Sequence, residues 1–280
     1  MAITNFIPTI WSETLYANLN QHHVGVANCN REFEGEIKEK GSVVKICGVG
    51  DITIRDYTKN SDMNSPQTLS DTAVELTVDH AKYFNFQIDD IDKAQCTPAL
   101  MNAAMNVAAK GLANEADKYI YTLHDKANTA LSNGDVTVDN ILDMIIKGRK
   151  CLYENNVTDT DEVVIEVSPA IAEILLKAKV NLSSDNSEAL EKGCIGKIAG
   201  CKVFVTNNIV TTTQSGTSVV FHKCFMRTKR AIAFVEQLSE IIAYKPEKRF
   251  ADAVKGLYLF GADVVYDKEF VLLDLGINEG

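Results

Sequence analysis

The sequence predicts an α+β fold, and three observations predict it. Apolar residues alternate with period two between Glu32 and Asp92, and recur at spacings of three and four from Thr97-Pro98 onward. Short strand-like runs then return from Val219 to the end. Hydrophobic residues are 46% of the 280 and charged residues 24%, ordinary values for a chain that can bury a sizeable core. At about 100–200 residues per domain, this length allows one large domain or two that share a core.

Residues 1–30 mix apolar anchors (Phe6, Ile7, Ile10, Trp11, Leu15, Leu19) with polar ones and read as an arm with one short helix, Ser12 to Asn20. Strands follow at Val44-Ile46, Ile52-Ile54, Val74-Leu76-Val78 and Phe84-Phe86-Ile88. Between them, Asp56 to Asp71 is polar, without apolar period, and reads as a projecting loop.

Thr97 supplies a capping hydroxyl and Pro98 a fixed φ suited to a first helical turn. The stripe Leu100, Ala104, Val107, Ala108, Gly111, Leu112, Tyr119, Leu123, Ala127 predicts one long helix, with Asn133-Gly134 as its stop. Next come a helix from Val138 to Tyr153, a strand from Val163 to Val167, a helix opened by Ser168-Pro169, a polar break and a strand from Lys202 to Thr206, an α/β lobe. The remaining strands are Val219 to Phe221, Ala231 to Val235, Ile241 to Tyr244, Val254 to Val265 and Phe270 to Leu273.

With 38 acidic and 28 basic residues the net charge is −10, so the average field repels phosphate backbones and anionic membranes. The N-terminal stretch has no basic or apolar signal region, and no run approaches the ~18 apolar residues of a membrane span. The seven cysteines are scattered without a C-x-x-C pair, which predicts reduced thiols.

Catalytic and ligand motifs fail on inspection. Gly48-Val49-Gly50 lacks the third glycine of a dinucleotide fingerprint and runs into Ile52-Thr53-Ile54, so it reads as a turn. Gly196-Lys197 has Glu191 where a phosphate loop needs glycine and Ile198 where it needs a hydroxyl. The five histidines have no zinc register, and the acid runs Asp89-Asp92 and Asp159-Glu162 lack that of a calcium loop. No nucleophile elbow occurs. The sequence thus predicts no catalytic residue, metal or cofactor.

Four segments carry a resemblance: Gly50 to Tyr57 (GDITIRDY), Lys82 to Phe86 (KYFNF), Gly193 to Gly200 (GCIGKIAG) and Ala243 to Asp252 (AYKPEKRFAD). In this order they resemble local patterns of tailed-bacteriophage major capsid proteins, with the Hong Kong 97-type fold that encapsulin shells share. The resemblance spans nearly the whole chain. It implies an N-terminal arm (1–30), an extended β loop (31–80), a peripheral domain (81–135 and 238–280) with a spine helix over 98–131, and an α/β axial domain (136–237).

The same resemblance implies self-assembly into hexamers and pentamers of an icosahedral head, assembled in the host bacterial cytoplasm. The implied partners are further copies, a portal, a separate scaffolding protein and possible decoration proteins, with packaged DNA held only non-specifically. Candidate subunit contacts are Trp11, Arg55, Asp56, Lys59, Glu247, Lys248, Arg249 and Asp252, against the alternative that the charged stretch is a solvated turn. A compartment shell of the encapsulin kind and an unrecognised α/β enzyme are the competing readings.

The charge balance generates a first prediction. The unassembled subunit should show no sub-micromolar, sequence-selective DNA binding in a filter-binding assay at physiological salt, because it can release few counterions.

Overall fold

The computed structural model describes residues 15, 19, 23–33, 41–49, 53–54, 56–57, 59, 62, 65, 71–89, 99–157, 162–178, 194–214, 216, 218–238, 241–248 and 250–278. Strands β1 (Val43–Val49) and β2 (Asp71–Thr77) pair antiparallel, with Val43 opposite Thr77 and Val49 opposite Asp71. Their period-two alternation sends Val44, Ile46, Leu76 and, just past β2, Val78 to one face, buried against Ala233, Val235 and Leu259. The other face is wet, and there Lys45 and Glu75 pair at 3.2 Å. Thr53 and Ile54, where alternation predicts a strand, carry none, and Ile54 is 93% exposed. Most of the predicted 56–71 loop lies outside the described residues.

A second sheet is built around β12 (Ala251–Val264). Along one edge it pairs with β3 (His80–Asp89), from Ala251 opposite Asp89 to Phe260 opposite His80. Its other edge is shared end to end by β11 (Ile242–Tyr244) and β10 (Ile232–Leu238). Glycine lets the β1–β2 ribbon close on this sheet, since a Cβ at Gly261 would lie 2.4 Å from the Thr77 carbonyl oxygen.

The third sheet has seven strands. Its path is β4 (Thr129–Asn133), β13 (Phe270–Asn278), β9 (Val219–Thr228), β5 (Val163–Val167), β7 (Cys201–Val205) and β6 (Cys194–Ile198), with the short β8 (Thr211–Thr213) also on β9. The β4–β13 and β5–β7 pairs are parallel and the others antiparallel. Every residue of β5 is buried, as a central strand covered on both faces requires. Helix α2 (Ile141–Glu154) presses Gly148 onto this sheet, where a Cβ would meet Met226 Sδ at 3.0 Å and Leu273 Cδ2 at 3.1 Å. Helix α3 (Pro169–Lys177) starts as the sequence predicts: Ser168 Oγ accepts from the Ile171 amide at 3.4 Å, with Pro169 in the first turn.

The long helix departs from expectation in two ways. It spans Ala99–Thr122, 24 residues or about 36 Å, and gives way to a 3₁₀ turn, Leu123–Lys126, instead of running through 98–131. Residues 129–131, expected from the sequence to end the helix, belong instead to β4, paired in parallel with β13 from Val271 to Leu275. Tertiary pairing outweighs a weak local preference in Asn128-Thr129, both poor helix formers. The buried face is also rotated, to Met105, Ala109, Leu112, Ala113, Ala116, Ile120 and Tyr121, while Val107 is exposed. An alanine-rich helix offers more than one apolar stripe, and the closest backbone approach selects the one with small residues.

Three further placements differ from the sequence reading. The strand predicted over Val219 to Phe221 runs on through Lys223 to Thr228 as the central strand β9. β6 and β8 had no alternation to reveal them. Residues 238–280 do not all return to one sheet: β12 joins β3 and β10, whereas β13 lies between β4 and β9 in the larger sheet. The described part of the predicted N-terminal helix, Leu15 and Leu19, is helical and fully buried. The close approach at Gly261 leads to a second prediction: Gly261→Ala should lose about 1–3 kcal/mol, read as a lower midpoint in denaturant unfolding, because its Cβ would displace backbone.

Candidate subunit-contact site

Of the residues expected to contact other copies, Trp11, Arg55 and Arg249 lie outside the described residues. Asp56 and Lys59 are exposed, as are Glu247 and Lys248 in the turn between β11 and β12. Asp252, at the start of β12, is half-buried and 3.9 Å from the Lys245 ammonium. The turn therefore assembles Lys245, Glu247, Lys248 and Asp252, and among the described residues Asp56 and Lys59 do not join it.

A larger exposed feature was not foreseen. On β3, β12 and the long helix Ala99–Thr122 (α1) large apolar side chains face solvent: Tyr83 is 77% exposed, Val107 73% and, in the β11–β12 turn, Phe250 87%, with Ile242 and Leu257 less so. Two adjoining grooves share Tyr83, Phe84 and Asn85. One, of about 480 Å³, continues over Ile242, Lys255 and Leu257, and the other, about 780 Å³, over Phe86, Ala104 and Val107. An apolar face beside a ten-residue strand that pairs only β12 among the described strands marks a contact surface. The signal was present as Val107 and Tyr83, which the sequence reading placed in the helix stripe and in the KYFNF segment.

Beneath this surface the segment 23–33 runs between the two larger sheets, held by buried charges. Arg227 on β9 has no exposed surface; its Nε donates to Glu166 Oε2 at 3.2 Å and its Nη2 to Glu166 Oε1 at 3.0 Å and to the Gly25 carbonyl at 3.1 Å. Nη1 donates to the Asn28 carbonyl, while the Asn28 amide donates to Glu166 Oε1 at 3.1 Å. Asp117 on α1 accepts from the Val24 and Val26 amides at 2.9 and 3.0 Å. Asn30 donates its amide to the Ile232 carbonyl and accepts from the Phe234 amide, each at 2.9 Å, so the segment adds a short rung beside β10. Glu236 on β10 accepts from Arg31 and from the Tyr258 hydroxyl.

Burial sets the protonation of these groups. It pushes the Glu166 carboxyl up, opposed by the Arg227 guanidinium and the Asn28 amide, and pushes the Cys29 thiol up to about 11 and the Tyr121 phenol well above its usual range. Burial would also raise Glu236, but the His23 ring and the Arg31 guanidinium prevail and hold it below its usual value. Cys29, Cys151, Cys201 and Cys224 are free thiols, and among the described residues no cluster of His, Cys, Asp or Glu could hold a metal ion. No described helix is long and apolar enough to cross a membrane. What this arrangement does chemically is fasten chain segments together.

Comparison with solved structures shows that this chain shares its fold with phage capsids. A chain of Mycobacterium phage Che8 superposes with a TM-score of 0.69 at 28% identity over 90% of each chain. The capsid of Ralstonia phage GP4 gives 0.67 at 12% identity, covering 91% of this chain and 88% of the other. The virus-like particle from Pyrococcus furiosus gives 0.57 at 11% identity, over 93% and 96%. No protein-family model matches the chain, and no curated protein matches its sequence. The fold is that of phage capsids, as the resemblance in the sequence implies.

The buried pair generates a third prediction. Arg227→Met should cost about 3–5 kcal/mol, because it leaves the Glu166 carboxylate buried without its counter-charge and takes a charged donor from the Gly25 and Asn28 carbonyls. The double variant with Glu166→Leu should recover much of that loss, as read by denaturant unfolding of both.

Proposed function

We propose that this chain is the major capsid protein of a tailed bacteriophage, a structural protein that self-assembles into hexamers and pentamers of an icosahedral head around double-stranded DNA. The observation that carries the reading is the likeness to the Che8 chain over nine-tenths of both, at 28% identity. The exposed apolar face on β3, β12 and α1 supports it, since a protein that stays alone has little use for grooves lined by Tyr83, Val107 and Ile242.

In this reading residues 31–80 are the extended loop that reaches an adjacent subunit, 1–30 the arm, 81–135 and 238–280 the peripheral domain, and 136–237 the axial domain at the hexamer and pentamer centres. Trp11, Arg55, Asp56, Lys59, Glu247, Lys248, Arg249 and Asp252 lie at subunit contacts. Each exposed ion pair contributes only about 0–1 kcal/mol, yet every term is repeated in each copy of a closed shell. Portal, scaffolding and decoration proteins are the expected partners, assembly takes place in the host bacterial cytoplasm, and the genome is enclosed without sequence-specific contact.

The chain expressed with its scaffold should yield closed particles by electron microscopy. Heads with portal and tail support the phage reading, small shells enclosing an enzyme would instead support the compartment-shell reading, and a persistent monomer would refute both. A fourth prediction is sharper. Val107→Glu should leave circular dichroism and the unfolding midpoint of the subunit unchanged, because Val107 is already exposed, and lower the yield of closed particles about tenfold or more.

A further inference from the structure

His23 is almost wholly buried between two carboxylates from different elements. Its Nδ1 lies 3.5 Å from Asp117 Oδ1 on α1 and its Nε2 3.7 Å from Glu236 Oε2 on β10, both at ion-pair distance. A neutral imidazole has one donor nitrogen and one acceptor, so it would turn a lone pair toward one of these carboxylates. Only the imidazolium, with a proton on each nitrogen, meets both. The charges around it agree. Three buried carboxylates, Asp117, Glu166 and Glu236, face two guanidiniums, Arg227 and Arg31, and one more positive charge balances the set.

We propose that seating the 23–33 strap between the sheets takes up one proton, held by His23, so that the strap is tightest at mildly acidic pH and loosens as pH rises. The remaining neighbours leave this role to His23. From β12 the Tyr258 hydroxyl donates to Glu236, from β10 the Phe234 ring meets the imidazole edge-on, and on the strap itself Arg31 binds the other Glu236 oxygen. Behind them Glu166 on β5 and Arg227 on β9 satisfy each other, and Cys29 and Tyr121 stay neutral through the physiological range.

Burial disfavours the charged ring, but the Asp117 and Glu236 carboxylates outweigh it and hold the His23 pKa above its ordinary 6.5. A folded-state value above the unfolded one gives stability that is complete below about 6.5 and is lost as pH rises through the folded value. The loss reads as an unfolding equilibrium constant that grows by up to about tenfold per pH unit in that window, the limit for one proton.

The test uses the full-length unassembled chain. Histidine-labelled NMR should find His23 doubly protonated and titrating above 6.5, and Glu236→Gln should bring its midpoint down. Amide exchange at Val24 and Val26, corrected for intrinsic base catalysis, should accelerate as His23 deprotonates, and His23→Gln should abolish that pH dependence. A His23 that titrates at or below 6.5, or an unchanged pH dependence in His23→Gln, would overturn the proposal. The NMR titration is made on the unmutated chain, so the answer stands even where a variant does not fold.

Discussion

The contact on which the rest of the structure depends is the Arg227 guanidinium between Glu166 and the carbonyls of Gly25 and Asn28. It joins β5, β9 and a segment about two hundred residues away in sequence. Remove it and the buried Glu166 carboxylate is left with the Asn28 side-chain amide alone, while the carbonyls of Gly25 and Asn28 each lose a charged donor. A hydrophobic pair of the same size could fill the space with comparable stability. It could not dictate where the strap's carbonyls lie, and that directional demand is what a guanidinium fork adds.

From that anchor the strap reaches the other sheet. Asp117 fixes its amides to α1, Asn30 completes a rung beside β10, and Glu236 takes Arg31, so one short segment touches both sheets and the helix. The β1–β2 ribbon depends in turn on the sheet so positioned, because Leu76 and Val78 bury against Ala233 and Val235 and the ribbon closes over Gly261. The geometry of the ribbon is thus set in part by a largely buried ionic cluster.

Much of the fold was legible where one element signals itself. The Val163–Val167 strand, the Ser168-Pro169 helix start and the paired β1 and β2 followed from alternation and capping chemistry. Elements defined by partners were not legible. β4 has no core-facing alternation strong enough to oppose the helix before it, and its strand character comes from β13, well over a hundred residues later. The buried charges were hidden for a related reason: Arg227 and Glu166 look like ordinary surface residues in sequence, and only the register of β5 on β9 brings them together. Of the candidate contact residues, Glu247 and Lys248 lie in an exposed turn, while the apolar face was not read from the sequence because Val107 fits a helix stripe as well as a surface.

The place of β13 bears on when the molecule can become itself. This strand is the last of the described strands to be synthesised, yet it lies inside the seven-stranded sheet, between β4 and β9. The sheet cannot close while a ribosome still holds residues 270–278, and the strap, made early, has no finished cleft until β9 and β10 are in place. Such long-range pairing is slow to form. The seven-stranded sheet therefore waits on a strand made after all its described neighbours, and both β4 and β9 stay without their shared partner until it arrives.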